Sequence, residues 1–344
     1  MLKARTKFGS ALKEIDKAYA FAAAKLGLPV EEIEEMAVPA YGLTEVGVCE
    51  EPMGEFTARL TVTGGGTEIA WVKADGKVQK GVPAAVKKEF AEELKELKAA
   101  AKDIERMLPA QKERIDNLFL QQKSWPFAIW RERYLDHPLV GVISRRLLWV
   151  FTTGGKAVTG IWFDGRLVDV DLQPVAASQE TTVELWHPIG RDLAEIMGWR
   201  GWLDAQQIQQ PFKQAHRQVY LLTDAERNTR TYSNRFAGHV IKQHQFNALC
   251  AARGWKNKLR LMVDADFPPA SKLLPQWGLR AEYWIEGAGD EYGRDTNETG
   301  TFLYLTTDQV RFHPVEAVQR TAHAGGGGYH PGYQQTDDEP MPLE

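Results

Sequence analysis

The sequence predicts an α+β fold: a helical first half carrying a small β-meander, then a mixed or antiparallel sheet with helices in the second half. Three observations predict it. Apolar residues from Val86 to Leu108 recur every three or four positions, which marks one buried helix face. From Val158 the apolar period drops to two on either side of Asp164-Gly165, a dipeptide suited to a tight hairpin. The helical stretches also precede the strand-like ones instead of alternating with them, which favours segregated layers over a parallel βαβ sheet.

Taken in order, Phe8, Leu12, Ile15, Tyr19, Ala22 and Leu26 place a helix over about the first 28 residues, ended by Gly27 and Pro29. A looser acidic stretch, Glu31 to Glu51, follows. Phe56 to Val62 and Thr67 to Val72 read as strands joined through Gly64-Gly65-Gly66, with another turn at Asp75-Gly76. Pro83 to Leu108 reads as one long helix, stopped by Pro109, and Ile115, Leu118 and Phe119 begin a second. The apolar run Pro138 to Phe151 reads as a buried core helix with Arg145 and Arg146 at its polar edge; it is too short to span a bilayer.

Beyond Gly154-Gly155, Val158 to Phe163 and Leu167 to Leu172 form the hairpin, Thr181 to Trp186 adds a strand, and Leu193 to Trp199 forms a short helix. Gln218 to Thr223 reads as a strand and Val240 to Arg253 as a helix ended by Gly254. Leu259 to Val263, Leu279 to Ile285 and Thr301 to Phe312 supply further strands. The divisions expected are a mainly helical region over 1–152, an α+β region over 153–321, and a disordered tail or linker over 322–344, where glycine, proline and acids replace apolar anchors.

Composition is that of a soluble globular chain: 43% hydrophobic and 26% charged residues, with eleven Trp to specify a core that is partly polar. Two distant cysteines, with no C-x-x-C pair and no apolar leader segment, lead to the expectation of a cytoplasmic protein without structural zinc. No Walker loop or G-x-S-x-G motif is present, so the chain reads as non-catalytic and calls for no cofactor.

Charge is the most informative functional feature. Residues 211–260 hold ten Lys or Arg against Asp224 and Glu226, a formal charge of +8 in a chain of −4, so the remainder carries −12. Phe212, Tyr220, Tyr232, Phe236, Phe246 and Trp255 are threaded through that segment. Cations spaced among rings suit a polyanion, with phosphates neutralised and bases stacked. The opposing reading is that these cations pair with the acidic remainder.

His187-Pro188, Gln210-Pro211-Phe212 with Gln214, Arg217 and Tyr220, and Arg253-Gly254-Trp255 follow one another in an order that resembles an uncharacterised bacterial domain. That domain occurs in MolR-like (molybdate metabolism regulator-like) proteins, often beside WGR domains. Gly76-Lys77, Val82-Pro83 and His137-Pro138 leading to Leu148-Trp149 fit the same pattern, and the resemblance covers about Leu26 to His313. It implies other domains of a longer polypeptide as partners, and no chemistry.

The ligand-binding candidates are Gln214, Arg217, Arg230, Tyr232, Arg235, Arg253, Trp255, Lys256 and Lys258. Gln214 and Arg217 would share a face after Pro211, either around a ligand or capping exposed backbone. Asp264 and Asp266 follow a strand and offer a metal alternative. Four of the eight histidines precede proline, where a ring often satisfies a turn, and Cys250 reads as inert core. The expectation is a regulatory or binding module of a larger bacterial protein that presents a basic, aromatic-lined surface to nucleic acid or an ADP-ribose-type nucleotide. The alternatives are an enzyme of unrecognised chemistry acting on such a ligand around Asp264, Asp266, Gln214 and Arg217, or a protein-interaction scaffold.

Overall fold

The computed structural model describes residues 12–229, 232–289 and 291–324. The chain is α+β, its strands paired antiparallel, and it divides into two compact units at Val219/Tyr220. The division expected at 152/153 falls inside a sheet, where Thr152 pairs with Ala157.

The first unit opens with α1 (Leu12–Leu26), which buries Ile15, Tyr19 and Ala23, and α2 (Val30–Met36). A four-stranded meander follows: β1 (Val48–Met53), β2 (Phe56–Val62), β3 (Thr67–Lys73) and β4 (Val78–Gln79), in sequence order. β2 alternates as its sequence predicts, with Phe56, Ala58, Leu60 and Val62 buried. β1 lies in the acidic stretch read as loose, because its acids are tolerated at a sheet edge.

The long helix breaks at Phe90 into α3 (Ala84–Glu89) and α4 (Ala91–Asp116), and α4 then runs straight through Pro109. The predicted stripe packs as expected through Leu94, Leu97, Ala101 and Ile104. It continues through Leu108 to Ile115, and this burial outweighs the one hydrogen bond that proline forfeits. Next come α5 (Leu118–Gln121), β5 (Ser124–Pro126), α6 (Phe127–Trp130), a π-helical turn (Arg131–Leu135) and α7 (Gly141–Ser144).

The run Pro138 to Phe151 is therefore not one helix. After α7 it becomes β6 (Trp149–Thr153), the middle strand of a five-stranded sheet ordered β5-β9-β6-β7-β8. Around it lie β7 (Lys156–Phe163), β8 (Arg166–Val168) and β9 (Thr182–Leu185). Leu148 and Val150 face one core and Trp149 and Phe151 the other. A strand covered on both faces reads as a continuous apolar run, which periodicity cannot tell from a buried helix. The β7–β8 turn falls at Asp164-Gly165 as predicted, both residues at positive φ (46° and 77°). The helix α8 (Leu193–Ala205) covers one face through Ile196, Trp199, Trp202 and Leu203.

The tryptophan core is partly polar. Trp125, Trp149 and Trp186 donate their indole N–H to Glu35, to the Ser144 carbonyl and to Glu195. Those of Trp71, Trp130 and Trp202 are buried without an acceptor among the described residues.

Gln218 to Thr223, across the division between the units, forms no strand; the second unit goes on with α9 (Asp224–Thr229). The helix expected over Val240 to Arg253 splits into β10 (Val240–Lys242) and α10 (Gln243–Ala252), and Leu259 to Val263 is irregular, with one isolated bridge from Met262 to Thr301. β11 (Asp266–Phe267), β12 (Ala270–Leu274), β13 (Leu279–Gly287), β14 (Tyr304–Pro314) and β15 (Ala322–His323) complete the unit. Its main sheet is ordered β10-β14-β13-β12. Ile285, Phe246, Phe267, Phe302 and Leu305 build its core, while Arg280, Glu282 and Trp284 alternate onto the opposite face of β13 and are buried too. Residues 322–324 of the expected tail belong to the fold: β15 pairs with β11, and buried Ala324 donates to the Ala265 carbonyl at 2.9 Å. Residues 325–344 lie outside the described residues.

Candidate functional site

The basic segment 211–260 does not form one surface within one unit: Lys213 and Arg217 belong to the first unit and the other cations to the second. Each candidate therefore has its own local account.

Gln214 is buried at 2% exposure and acts as a clip. Its Nε2 donates to the carbonyls of Leu148 (2.8 Å) and Trp186 (2.9 Å), and its Oε1 accepts from Leu148 N (2.8 Å) and Gln210 Nε2 (2.8 Å). Every polar position of the amide is used, so it offers nothing to a ligand. Arg217 pairs with Asp116 at the end of α4 and donates to the Lys213 carbonyl. Of the two readings left open for this pair, backbone capping is what the geometry shows.

In the second unit Arg235 grips buried Glu226 through Nη2 (2.7 Å) and Nε (3.3 Å), and stacks over Tyr220. That guanidinium, with Ser233 and Thr223, holds the Glu226 carboxyl down to about 2. Tyr232 is half-buried. Trp255 packs against the unit's core with Tyr283 tilted beside it at 6.4 Å, so its ring is structural. The aromatic lining expected of the basic surface is mostly packing: Phe212 and Phe246 also touch cores, and Tyr220 meets Phe236 edge-on. Arg230 lies outside the described residues.

What remains is a loop at the C-terminal end of α10. Arg253, Lys256 and Arg260 are exposed and Lys258 is half-buried. The backbone of Lys256 bridges Ser271 on the edge strand β12, and Asn247 fixes the loop by donating to the Leu259 carbonyl. Lys258 Nζ donates to the Asp266 carbonyl at 3.1 Å, and Lys272 Nζ to the Arg253 carbonyl at 2.9 Å, which brings a fifth cation alongside. Within this loop no Lys or Arg forms an ion pair with a carboxylate of the described residues.

Asp264 and Asp266 are exposed. Among the described residues no group of three or more His, Cys, Asp or Glu is placed to hold a metal ion. The residues of the enzyme alternative do not share a unit, Gln214 and Arg217 lying before the division and Asp264 and Asp266 after it. Cys250 is buried core, its thiol pushed up to about 11 by burial.

Two arrangements in the first unit were invisible to sequence reasoning. The first is a cleft of about 270 Å³ lined by Phe119, Lys123, Glu184, His187 and Arg191, among others. His187 stacks on Phe119 at 3.8 Å, and its Nδ1 accepts from Ile189 N, as a ring before proline is expected to satisfy a turn. Burial and then nearby Arg217 lower its imidazole to about 4, so it is neutral with the proton on Nε2. The second is a hub around Glu35, 3% exposed, which accepts from Lys123, Tyr134, Trp125 and Arg133, with Arg114 at 3.8 Å. Its partners lie 79 to 99 residues away in sequence, so no local pattern signals it.

Among the described residues no helix is long and apolar enough to cross a membrane. No curated protein and no solved structure matches the chain. A family profile described as a domain of unknown function does match, over residues 76–255, a little more than half of the chain, beginning in the meander and ending at Trp255. The chain belongs to that family, DUF4132.

Proposed function

We propose that this protein is a non-catalytic binding module whose second unit engages a polyanion, nucleic acid or an ADP-ribose-type chain, through the loop Arg253–Arg260. One observation carries the reading: four cations within eight residues, on a loop pinned to a helix end and a sheet edge, have no carboxylate partner among the described residues. Internal charge pairing, the opposing account of the basic segment, describes Arg217 and Arg235 among the described residues and does not reach the loop. An unpaired cation on a fixed backbone loses little order on meeting a phosphate, and each contact releases counterions. With Trp255 half-buried against the core, phosphate contacts rather than base stacking supply most of the affinity. The reading extends to a cytoplasmic regulatory protein of the MolR-like, WGR-associated kind, on the order of the motifs.

The test is a titration with single- and double-stranded DNA, RNA and ADP-ribose polymer at low salt. Affinity should fall steeply as salt rises, and replacing Arg253, Lys256 and Arg260 with Ala should flatten the log–log slope by about one per lost phosphate contact. No detectable association with any of these polymers at low ionic strength would refute the reading.

A further inference from the structure

The Gly64-Gly65-Gly66 turn between β2 and β3 has no Walker-type Lys-Ser/Thr beside it in sequence, yet folding brings two distant cations to it. Lys112, on α4, donates from Nζ to the Gly64 carbonyl at 3.0 Å. Arg146, just past α7, lies against the Gly64 backbone so closely that a Cβ there would come within 2.7 Å of Nη1. Arg146 Nε is used by the Val142 carbonyl and Nη1 by the Gln209 carbonyl, but Nη2 is buried without an acceptor among the described residues.

Two like charges thus flank one residue. Neither forms an ion pair among the described residues, and the nearest acid on this turn, Glu105, sits at Gly66 and accepts from the Thr67 hydroxyl. Burial, and then the facing Arg146, hold the Lys112 ammonium below its ordinary value. The N–H groups of Gly64, Gly65 and Gly66 make no hydrogen bond within the described residues either, and Gly64 and Gly65 are exposed.

We infer that this turn, with Lys112 and Arg146, is a binding site for a small oxyanion of the phosphate class. The anion takes the glycine N–H groups and Lys112 Nζ from solvent, and a small outward tilt of the guanidinium gives Arg146 Nη2 its missing acceptor. Successive free backbone N–H groups beside cations are a common way to hold an anion. The site is independent of the loop Arg253–Arg260.

The experiment is calorimetric titration of the full chain with inorganic phosphate at constant ionic strength, with chloride as the reference anion. One saturable site is expected. Lys112→Met and Arg146→Met should each weaken it about tenfold or more, and Arg146→Lys should weaken it as well, because an ammonium cannot present the planar fork. Gly64→Ala, which pushes Arg146 away, should lose binding, whereas Gly65→Ala, with open space around its Cβ, should keep it. Arg253→Ala with Lys256→Ala and Arg260→Ala should leave phosphate binding intact. Lys112 is half-exposed on a helix surface, so Lys112→Met serves as the folded variant if the Arg146 changes unfold the unit. Absence of a saturable phosphate signal, or equal binding by native protein and Lys112→Met, overturns the inference.

Discussion

The hub at Glu35 in the first unit and the loop Arg253–Arg260 in the second each gather several cations, and they treat them in opposite ways. Around Glu35 three cations converge on one buried carboxylate, with Tyr134 and Trp125 filling its remaining acceptor positions. On the loop the cations point outward, and their contacts are to backbone carbonyls or to solvent. The hub ties α2 to α4, to β5 and to the π-helical turn, so its charges hold the fold together. The loop is held in shape by its backbone and by Asn247, so its charges can be changed without unfolding anything. A count of basic residues along the chain does not separate these two uses; the placement of carboxylates does.

Breaking the hub should have the largest effect. Glu35→Ala leaves Lys123 and Arg114 without their carboxylate in a largely buried site, while Arg133 keeps Glu32 at 2.7 Å, and removal of one partner from such a cluster costs about 3–5 kcal/mol. Urea unfolding monitored at the first unit should show it; a loss below about 1 kcal/mol, the scale of an exposed ion pair, would place the hub with surface pairs.

The Glu226–Arg235 pair sits between the two extremes and is read by acid. The Glu226 carboxyl titrates at about 2 in the folded unit against an ordinary value of 4.5. Its contribution is therefore complete above pH 4.5 and is lost as pH falls from there toward 2. Glu226→Gln should remove that part of the acid dependence, measured by tryptophan fluorescence of the second unit; an unchanged acid profile would show that the carboxylate is not the group responsible.

His187 shifts the first unit in the same direction over a higher range. Its folded value of about 4 lies below the ordinary 6.5, so stability is full above pH 6.5 and declines as pH drops toward 4. His187→Gln should flatten this range in a thermal melt series, and a native-like slope in that variant would count against it.

The smallest effect belongs to the loop. Replacing Arg253, Lys256 and Arg260 together with Ala should change unfolding free energy by no more than about 0.5 kcal/mol per site, even as polyanion binding fails. A large loss of stability would assign the loop to the same structural use as the hub.

Sequence reasoning reached what local chemistry decides. Asp164-Gly165 turns because both residues accept positive φ, and the stripe from Leu94 to Ile104 packs because its spacing matches the helix period. It failed where a partner decides. Trp149 to Thr153 is a strand because two cores cover it, and Gln218 to Thr223, apolar enough for a strand, joins none of the described sheets. The candidate site shows the same limit. The excess of cations in 211–260 was legible, but not that Arg217 would meet Asp116, 101 residues away, or that Arg235 would close on Glu226. The rings of Trp255 and Phe246 were visible as aromatic, but not that Phe246 would be buried and Trp255 packed against the core, since both depend on β12 to β14 arriving later in the chain.

Gln214 carries a further consequence. Its one primary amide supplies the rung that a missing strand would have made, giving two hydrogens to Leu148 and Trp186 and taking one from Leu148. Only that functional group offers both roles at that reach; Asn is a methylene short, and Glu brings oxygen where nitrogen is required. Hydrolysis of that single side-chain amide would set a carboxylate against two carbonyl oxygens where β6 begins and β9 ends. The closure of these two strand ends thus depends on one glutamine keeping its amide, shielded from water by the structure it completes.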